Sequence, residues 1–161
     1  MGEDARIRAA TPGDRACLVS LWLDLVAHHR RLDPDYPALP GIRDALEREV
    51  ERGLTEPACR LWLAERAGEP LGFLFAEIEA TGLPASGGGL AWIHELFVIP
   101  EARRRGVAGR LVEAALAFFA ERGSTRSSVR VESGNSEGER FWLALGFSEK
   151  ARILERRGPS G

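Results

Sequence analysis

The stretch Leu96-Phe97-Val98-Ile99-Pro100-Glu101-Ala102-Arg103-Arg104-Arg105-Gly106-Val107-Ala108-Gly109-Arg110-Leu111 decides how this chain is read. An apolar strand, Leu90 to Ile99, stops at Pro100, and from Val107 to Arg122 the apolar positions Val107, Leu111, Val112, Ala115, Leu116 and Phe119 recur at helical spacing. Between them stand three arginines and a glycine. Free N–H groups leave about half a positive charge at a helix start, so acidic residues are the usual occupants of the first turn. Arginines there cost stability unless an anion sits among them. Backbone N–H groups and guanidinium groups are what phosphate oxygens require, and Gly106, with Ala108 and Gly109, keeps the turn lean enough for close approach. A diphosphate fits such a turn. The plainer alternative is a solvated arginine-rich turn, and the absence of G-x-x-x-x-G-K-S/T or G-x-G-x-x-G argues against other phosphate loops.

Working outward, Ala5 to Ala10 reads as a short strand, and a helix from Asp14 to His28 carries Leu18, Leu21, Trp22, Leu25 and Val26 on one face. Arg31 to Pro37 breaks it. A second helix from Ile42 to Arg52 is stopped by Gly53. Cys59 to Glu65 and Leu71 to Ile78 flank a turn and should pair as a hairpin. Thr81 to Gly89 reads as a mobile glycine-rich loop. Ser128 to Glu132 is a further strand, Ser136 to Leu145 a short helix ended by Gly146, and Ser148 to Arg156 a last strand before a frayed tail, Arg157 to Gly161. This order predicts an α/β or α+β sandwich on a mixed sheet.

The 161 residues, 44% of them hydrophobic, suit a single domain spanning 1–161. Net charge is −2 and basic residues are interleaved with acids, so nucleic acid is not an expected partner. Cys17 and Cys59 stand apart without C-x-x-C or a His pair, which points to reduced core cysteines and no metal. The acidic Met1 to Asp4 and the lack of any run near the roughly 18 apolar residues of a membrane span make a cytoplasmic protein without membrane contact the default.

Downstream of the arginine turn lie Asn135 and Phe141-Trp142-Leu143-Ala144-Leu145-Gly146-Phe147. With Val98-Ile99-Pro100 and Arg103 to Ala108, these residues follow, in order, V-x-P, Q/R-x-x-G-x-G/A and N-x-x-A-x-x-F/Y-Y-x-x-x-G-F. The chain therefore resembles the GNAT superfamily of N-acetyltransferases over nearly its full length. The resemblance implies a mostly antiparallel central sheet of six or seven strands with helices on both faces. It implies acetyl-CoA as donor co-substrate, with the backbone of Arg103, Arg104, Arg105, Gly106, Val107, Ala108, Gly109 and Arg110 around its pyrophosphate. Phe97 and Val98 would border a splay for the pantetheine arm, and Asn135 would hydrogen-bond that arm. Trp142 stands where the family often has a Tyr that protonates the departing thiolate, and an indole is no acid near neutral pH. Water or Tyr36, the only Tyr, could serve instead. Gly138 replaces the family's usual Ala.

An amine nucleophile with a pKa of about 10.4 must lose a proton before it attacks, so a base near the splay is needed. His94 and Glu95 are the candidates. Neighbouring strand residues face opposite ways unless a bulge intervenes, so one of them should reach substrate. His94 shares parity with Trp92, Leu96 and Val98 and matches the position of a basic residue in related amine acetyltransferases, with Glu95 as a hydrogen-bond or charge partner. A satisfied buried imidazole is the structural alternative. The resemblance further implies that the Val98 N–H, at a strand bulge, stabilises the oxyanion. His28, His29, Asp33, Asp35 and Tyr36 would suit a cationic acceptor, although Asp33-Pro34-Asp35 also reads as a solvated turn. The acceptor is thus a small-molecule or peptide amine, and a homodimer is allowed for. A non-catalytic acyl-CoA sensor or scaffold on the same fold is the rival reading, and an unrelated phosphate-binding α/β protein a third.

Overall fold

The computed structural model describes residues 4–37, 39–80, 89–156 and 158. Two compact units make up the chain, Met1–Arg130 and Val131–Gly161. The first contains β1 (Arg6–Ala9), α1 (Arg15–Leu32), α2 (Ile42–Thr55), β2 (Cys59–Arg66), β3 (Glu69–Glu79), β4 (Leu90–Val98), α3 (Val107–Glu121) and β5 (Ser127–Val129). The second contains α4 (Ser136–Ala144).

The strands form one sheet in the order β1-β2-β3-β4-β5, antiparallel except for the parallel β4/β5 pair. The expected hairpin joins β2 to β3 through Ala67 and Gly68, both with positive φ (48° and 81°). A two-residue turn of that hand matches the twist of the strands it connects. Leu61, Leu63, Phe73, Phe75 and Phe97 line one face of the sheet and pack under Leu18, Leu21, Trp22 and Leu25 of α1 and Leu46 and Val50 of α2. The opposite face presents Trp62, whose ring meets Phe118 of α3 edge-on at 5.5 Å. Helices therefore cover both faces, and α3 buries the apolar stripe that its periodicity predicts.

Among the described residues the sheet has five strands, not six or seven. The difference lies at the C-terminal end, where residues 148–156 form no strand and Ile153 and Leu154 are exposed. A β-strand exists only by pairing, and alternation alone cannot supply a neighbour. The strand expected over 128–132 is limited to Ser127–Val129. Two helix ends also move. α1 continues to Leu32, because His29, Arg30 and Arg31 suit the negative pole of its last turn and the stop comes at Asp33, before Pro34. Gly53 does not terminate α2 but lies buried inside it, where a β-carbon would come within 2.5 Å of Leu61 Cδ1. Its role is to let helix and strand touch. Residues 81–88, most of the expected loop, and nearly all of the tail fall outside the described residues. No described helix is long and apolar enough to cross a membrane.

In the second unit, Asn135 caps α4 by accepting a hydrogen bond from the Gly138 N–H at 2.9 Å. A β-carbon at Gly138 would lie 2.5 Å from Asn135 Nδ2, which explains a residue smaller than Ala. Gly146 (φ +87°) reverses the chain, and the Phe147 N–H returns to the Trp142 carbonyl at 3.1 Å.

Candidate active site

β4 is interrupted by a bulge. Glu95 pairs with Phe75 and Ile93 with Ala76, which leaves His94 as the extra residue. Paired residues share a face, so Trp92 (opposite Glu77), Glu95 (opposite Phe75) and Phe97 (opposite Phe73) all lie on the α1/α2 face. The His94 ring joins them, 5.5 Å from Phe75 and 6.3 Å from Trp92. The bulge that the expectation of opposite faces allowed for is present, and His94 and Glu95 share the α1/α2 face. A bulge sets two successive residues on one side and breaks the simple parity of Trp92, His94, Leu96 and Val98.

His94 is half-buried, and its Nε2 lies 3.1 Å from Glu77 Oε2. The other oxygen, Glu77 Oε1, accepts from Arg52 Nη1 of α2 at 2.8 Å. Arg52 is held in turn by Glu49 at 3.0 Å and lies 5.1 Å over the Phe75 ring. Burial would push the Glu77 carboxyl upward, but the Arg52 hydrogen bond and charge, with help from His94, outweigh it and hold the carboxyl below its ordinary value. Neither Glu77 nor Arg52 was singled out in the sequence. A signal existed, since Glu77 continues the Phe73, Phe75 parity and puts a carboxylate on an otherwise apolar face of an inner strand. Burial pushes the neighbouring Cys59 thiol up to about 11, so it behaves as an inert core group.

Further along β4, the Ile99 N–H donates to the Leu71 carbonyl at 2.9 Å. By the alternation of an antiparallel ladder, the Val98 N–H then points away from β3. β5 pairs only with Ala91–Ile93, so the outer edge of β4 beyond Ile93 is not covered by β5. The bulge itself lies at His94 and not at Val98. Across the strand pair, the Phe97 carbonyl lies so close to Gly72 that a β-carbon there would be 2.3 Å away.

A short turn over Pro100–Ala102 leads into the arginines. Arg104 (φ +57°) and Gly106 (φ +76°) both adopt left-handed backbone, and no side chain caps the first turn of α3, where Val107, Ala108 and Gly109 present N–H groups. No acidic residue stands in that turn. Val107 is buried, so it can offer only its backbone. The four arginines divide into two kinds. Arg103 Nε donates to the Val98 carbonyl at 2.9 Å and Arg110 Nη1 to the Ala5 carbonyl at 2.5 Å, which anchors both on the fold. Arg104 and Arg105 are exposed. Such a turn has the donors and the charge for a diphosphate.

The first unit therefore brings together His94, Glu95, Phe97, Val98 and the turn 103–110. Asn135 and Trp142 belong to the second unit. Asn135 Oδ1 is occupied by its helix cap, which leaves the amide nitrogen as the group that could donate to a ligand. Trp142 is buried between Phe141 and Phe147, edge-on to both at about 5 Å, in the manner of a packing residue. Tyr36 stacks on His29 at 5.2 Å, and Asp33 Oδ1 accepts from the Asp35 N–H, as a solvated Asp turn does.

The description "Acetyltransferase (GNAT) family" matches residues 22–147. The chain belongs to the GNAT acetyltransferase family. Among GNAT proteins it is similar to aminoglycoside N(6')-acetyltransferase type 1 of Klebsiella aerogenes, with 33% identity over 66% of this chain and 70% of that protein. It is 31% identical to the mycothiol acetyltransferase of Thermobispora bispora over 91% of this chain, which spans 47% of that longer protein. The solved aminoglycoside N-acetyltransferase AAC(6')-Iy in complex with CoA has the same fold, with a TM-score of 0.77, 22% identity, and coverage of 99% of this chain and 98% of that one. The protein is accordingly an N-acetyltransferase of the GNAT kind.

Proposed function

We propose that the protein transfers an acetyl group from acetyl-CoA to a primary amine by direct attack in a ternary complex. The observation that carries this reading is one edge of β4, where a bulged His94 precedes a strand end not covered by β5, followed by an uncapped, arginine-flanked helix start. The N–H groups of Val107, Ala108 and Gly109, with the exposed Arg104 and Arg105, hold the diphosphate. Phe97 and Val98 line the arm. His94 takes a proton from the bound ammonium, and the neutral amine nitrogen then bonds to the thioester carbon. The Val98 N–H steadies the oxygen charge, the carbon–sulfur bond breaks, and the second proton that the nitrogen sheds on becoming an amide passes through water to the thiolate, whose thiol pKa is about 8.5.

The acceptor we favour is a cationic small amine of the aminoglycoside kind. Glu77, Glu79 and Glu95 place carboxylates along the same strand pair, and the Klebsiella relative is named for aminoglycosides. The decisive experiment is a CoA-release assay over an amine panel that includes aminoglycosides, amino acids and peptide N-termini. Turnover with a polyamino sugar supports the proposal, and acetyl-CoA binding without turnover on any amine refutes it in favour of an acyl-CoA sensor. The packed Trp142 in place of a Tyr acid is the observation on the sensor's side. We further infer a cytoplasmic setting, where acetyl-CoA is available.

A further inference from the structure

We propose that Glu77, itself held by Arg52, is the positioning residue of His94, fixing the imidazole with its proton on Nε2 so that Nδ1 is the nitrogen that accepts a proton. The inference rests on the reading of His94 as the base.

A neutral imidazole has one donor and one acceptor nitrogen, and the partner of one decides the role of the other. Glu77 Oε2 lies 3.1 Å from Nε2, and a carboxylate can only accept. The Nε2–H form follows. The ring stacks on Trp92 and lies tilted against Phe75, so it cannot swing to put Nδ1 in the place of Nε2 without leaving them. A carboxylate beside a histidine also supports the imidazolium formed when the proton arrives. Too much support would keep the ring charged and useless as a base at neutral pH.

Arg52 answers that problem. It binds the far oxygen of the same carboxylate at 2.8 Å and so shares its charge. The groups facing His94 are Glu77 and Glu79 of β3, whose oxygens lie with the His94 nitrogen inside a 4.8 Å cluster, Arg52 of α2 behind Glu77, and Glu95 on its own strand. The buried residues of α1 are the apolar Leu18, Val19, Leu21, Trp22 and Leu25, and its titratable His28 and His29 are half-buried near its C-terminal end. Two oxygens and a nitrogen at that spacing could also attract a divalent cation. The Arg52 guanidinium already on Glu77 favours the ion pair over a metal.

The test uses full-length protein with chelator present. Long-range nitrogen–proton NMR reads the tautomer and titration of its three histidines, with His94 assigned through His94→Gln. The wild type should show the Nε2–H form at His94. Glu77→Gln should mix or switch the tautomer and weaken the hold of His94 on its proton, whereas Arg52→Met should strengthen it. The acid limb of the kcat profile should follow in the same opposite directions, and kcat of Glu77→Gln should fall about tenfold or more with the KM for acetyl-CoA unchanged. Opposite shifts are what a merely structural pair would not produce. An unchanged tautomer and pKa in a folded Glu77→Gln protein, or shifts of the same sign in both variants, would overturn the proposal. If the tautomer and pKa shifts appear while His94→Gln retains wild-type turnover, the positioning stands and the base assignment falls.

Discussion

Replacing Gly106 separates folding from donor binding, because the two should respond with opposite rank orders. In the folded chain a β-carbon at Gly106 would meet nothing within 4 Å, so the only penalty of Gly106→Ala is its left-handed backbone, φ +76°, which costs about 1 kcal/mol. That corresponds to a fall in Tm of about 2–4 °C for a chain of this size. Gly106→Glu carries the same backbone cost. Its carboxylate, however, sits at the positive pole of α3 among Arg104 and Arg105, which returns about 0.3–1 kcal/mol. Without ligand, the Glu variant should be at least as stable as the Ala variant. With CoA the order reverses. One carboxylate about 5 Å from one phosphate charge at an effective dielectric near 20 costs about 3 kcal/mol, a loss of about 100-fold in affinity. Calorimetric titration of CoA and melting curves with and without CoA would measure both orders. Normal CoA affinity in Gly106→Glu would refute the placement of the diphosphate at this turn.

Three further substitutions probe other parts of the fold and site. His94→Gln should lower kcat by about 10²–10⁴-fold while the Kd for acetyl-CoA stays unchanged, measured by steady-state kinetics and equilibrium binding; undiminished turnover would remove His94 as the base. Gly53→Ala should destabilise, because Leu61, buried in the core, blocks the new methyl at 2.5 Å, and overpacking of about 1–3 kcal/mol exceeds the roughly 1 kcal/mol of helix propensity gained; a raised Tm would refute this. Asp14 accepts from both Arg8 nitrogens and from Thr11, and the Arg8 hydrogen bonds hold its carboxyl well below the ordinary carboxylate range. Stability from such a depressed group is present above its unfolded pKa and is lost as pH falls from about pH 5 toward the folded value. Asp14→Asn should therefore cost about 1–2 kcal/mol at pH 7 after allowance for partial exposure, and should flatten the acid limb of a Tm against pH curve; an unchanged curve would count against it.

What could be read from residues alone follows from how far each signal reaches along the chain. The α3 stripe, the 67–68 turn and the arginine–glycine helix start are local patterns, and each is where it was expected. Signals that depend on a neighbour in space were misjudged. Gly53 looks like a helix stop until Leu61 is seen against it. Residues 148–156, expected as a strand, form none. The His94 bulge is a property of the pairing with β3, so no count of parity along β4 alone could show that His94 and Glu95 share a face. For the same reason the Arg52–Glu77–His94 chain, which joins α2, β3 and β4, was invisible although each of its members carries charge or a titratable ring.

Gly72 shows how the donor end of the site can be altered from behind. It acts as a spacer of minimal thickness between β3 and β4, with the Phe97 carbonyl resting where any side chain would begin. A methyl added there would be remote from both substrates in sequence, yet it would push the edge of β4 that carries Val98 outward. On the proposed placement of the donor along that edge, position 72 acts as a coarse adjustment screw for the width of its channel, and variation in acyl preference among related chains could be sought on this strand as well as on the channel walls.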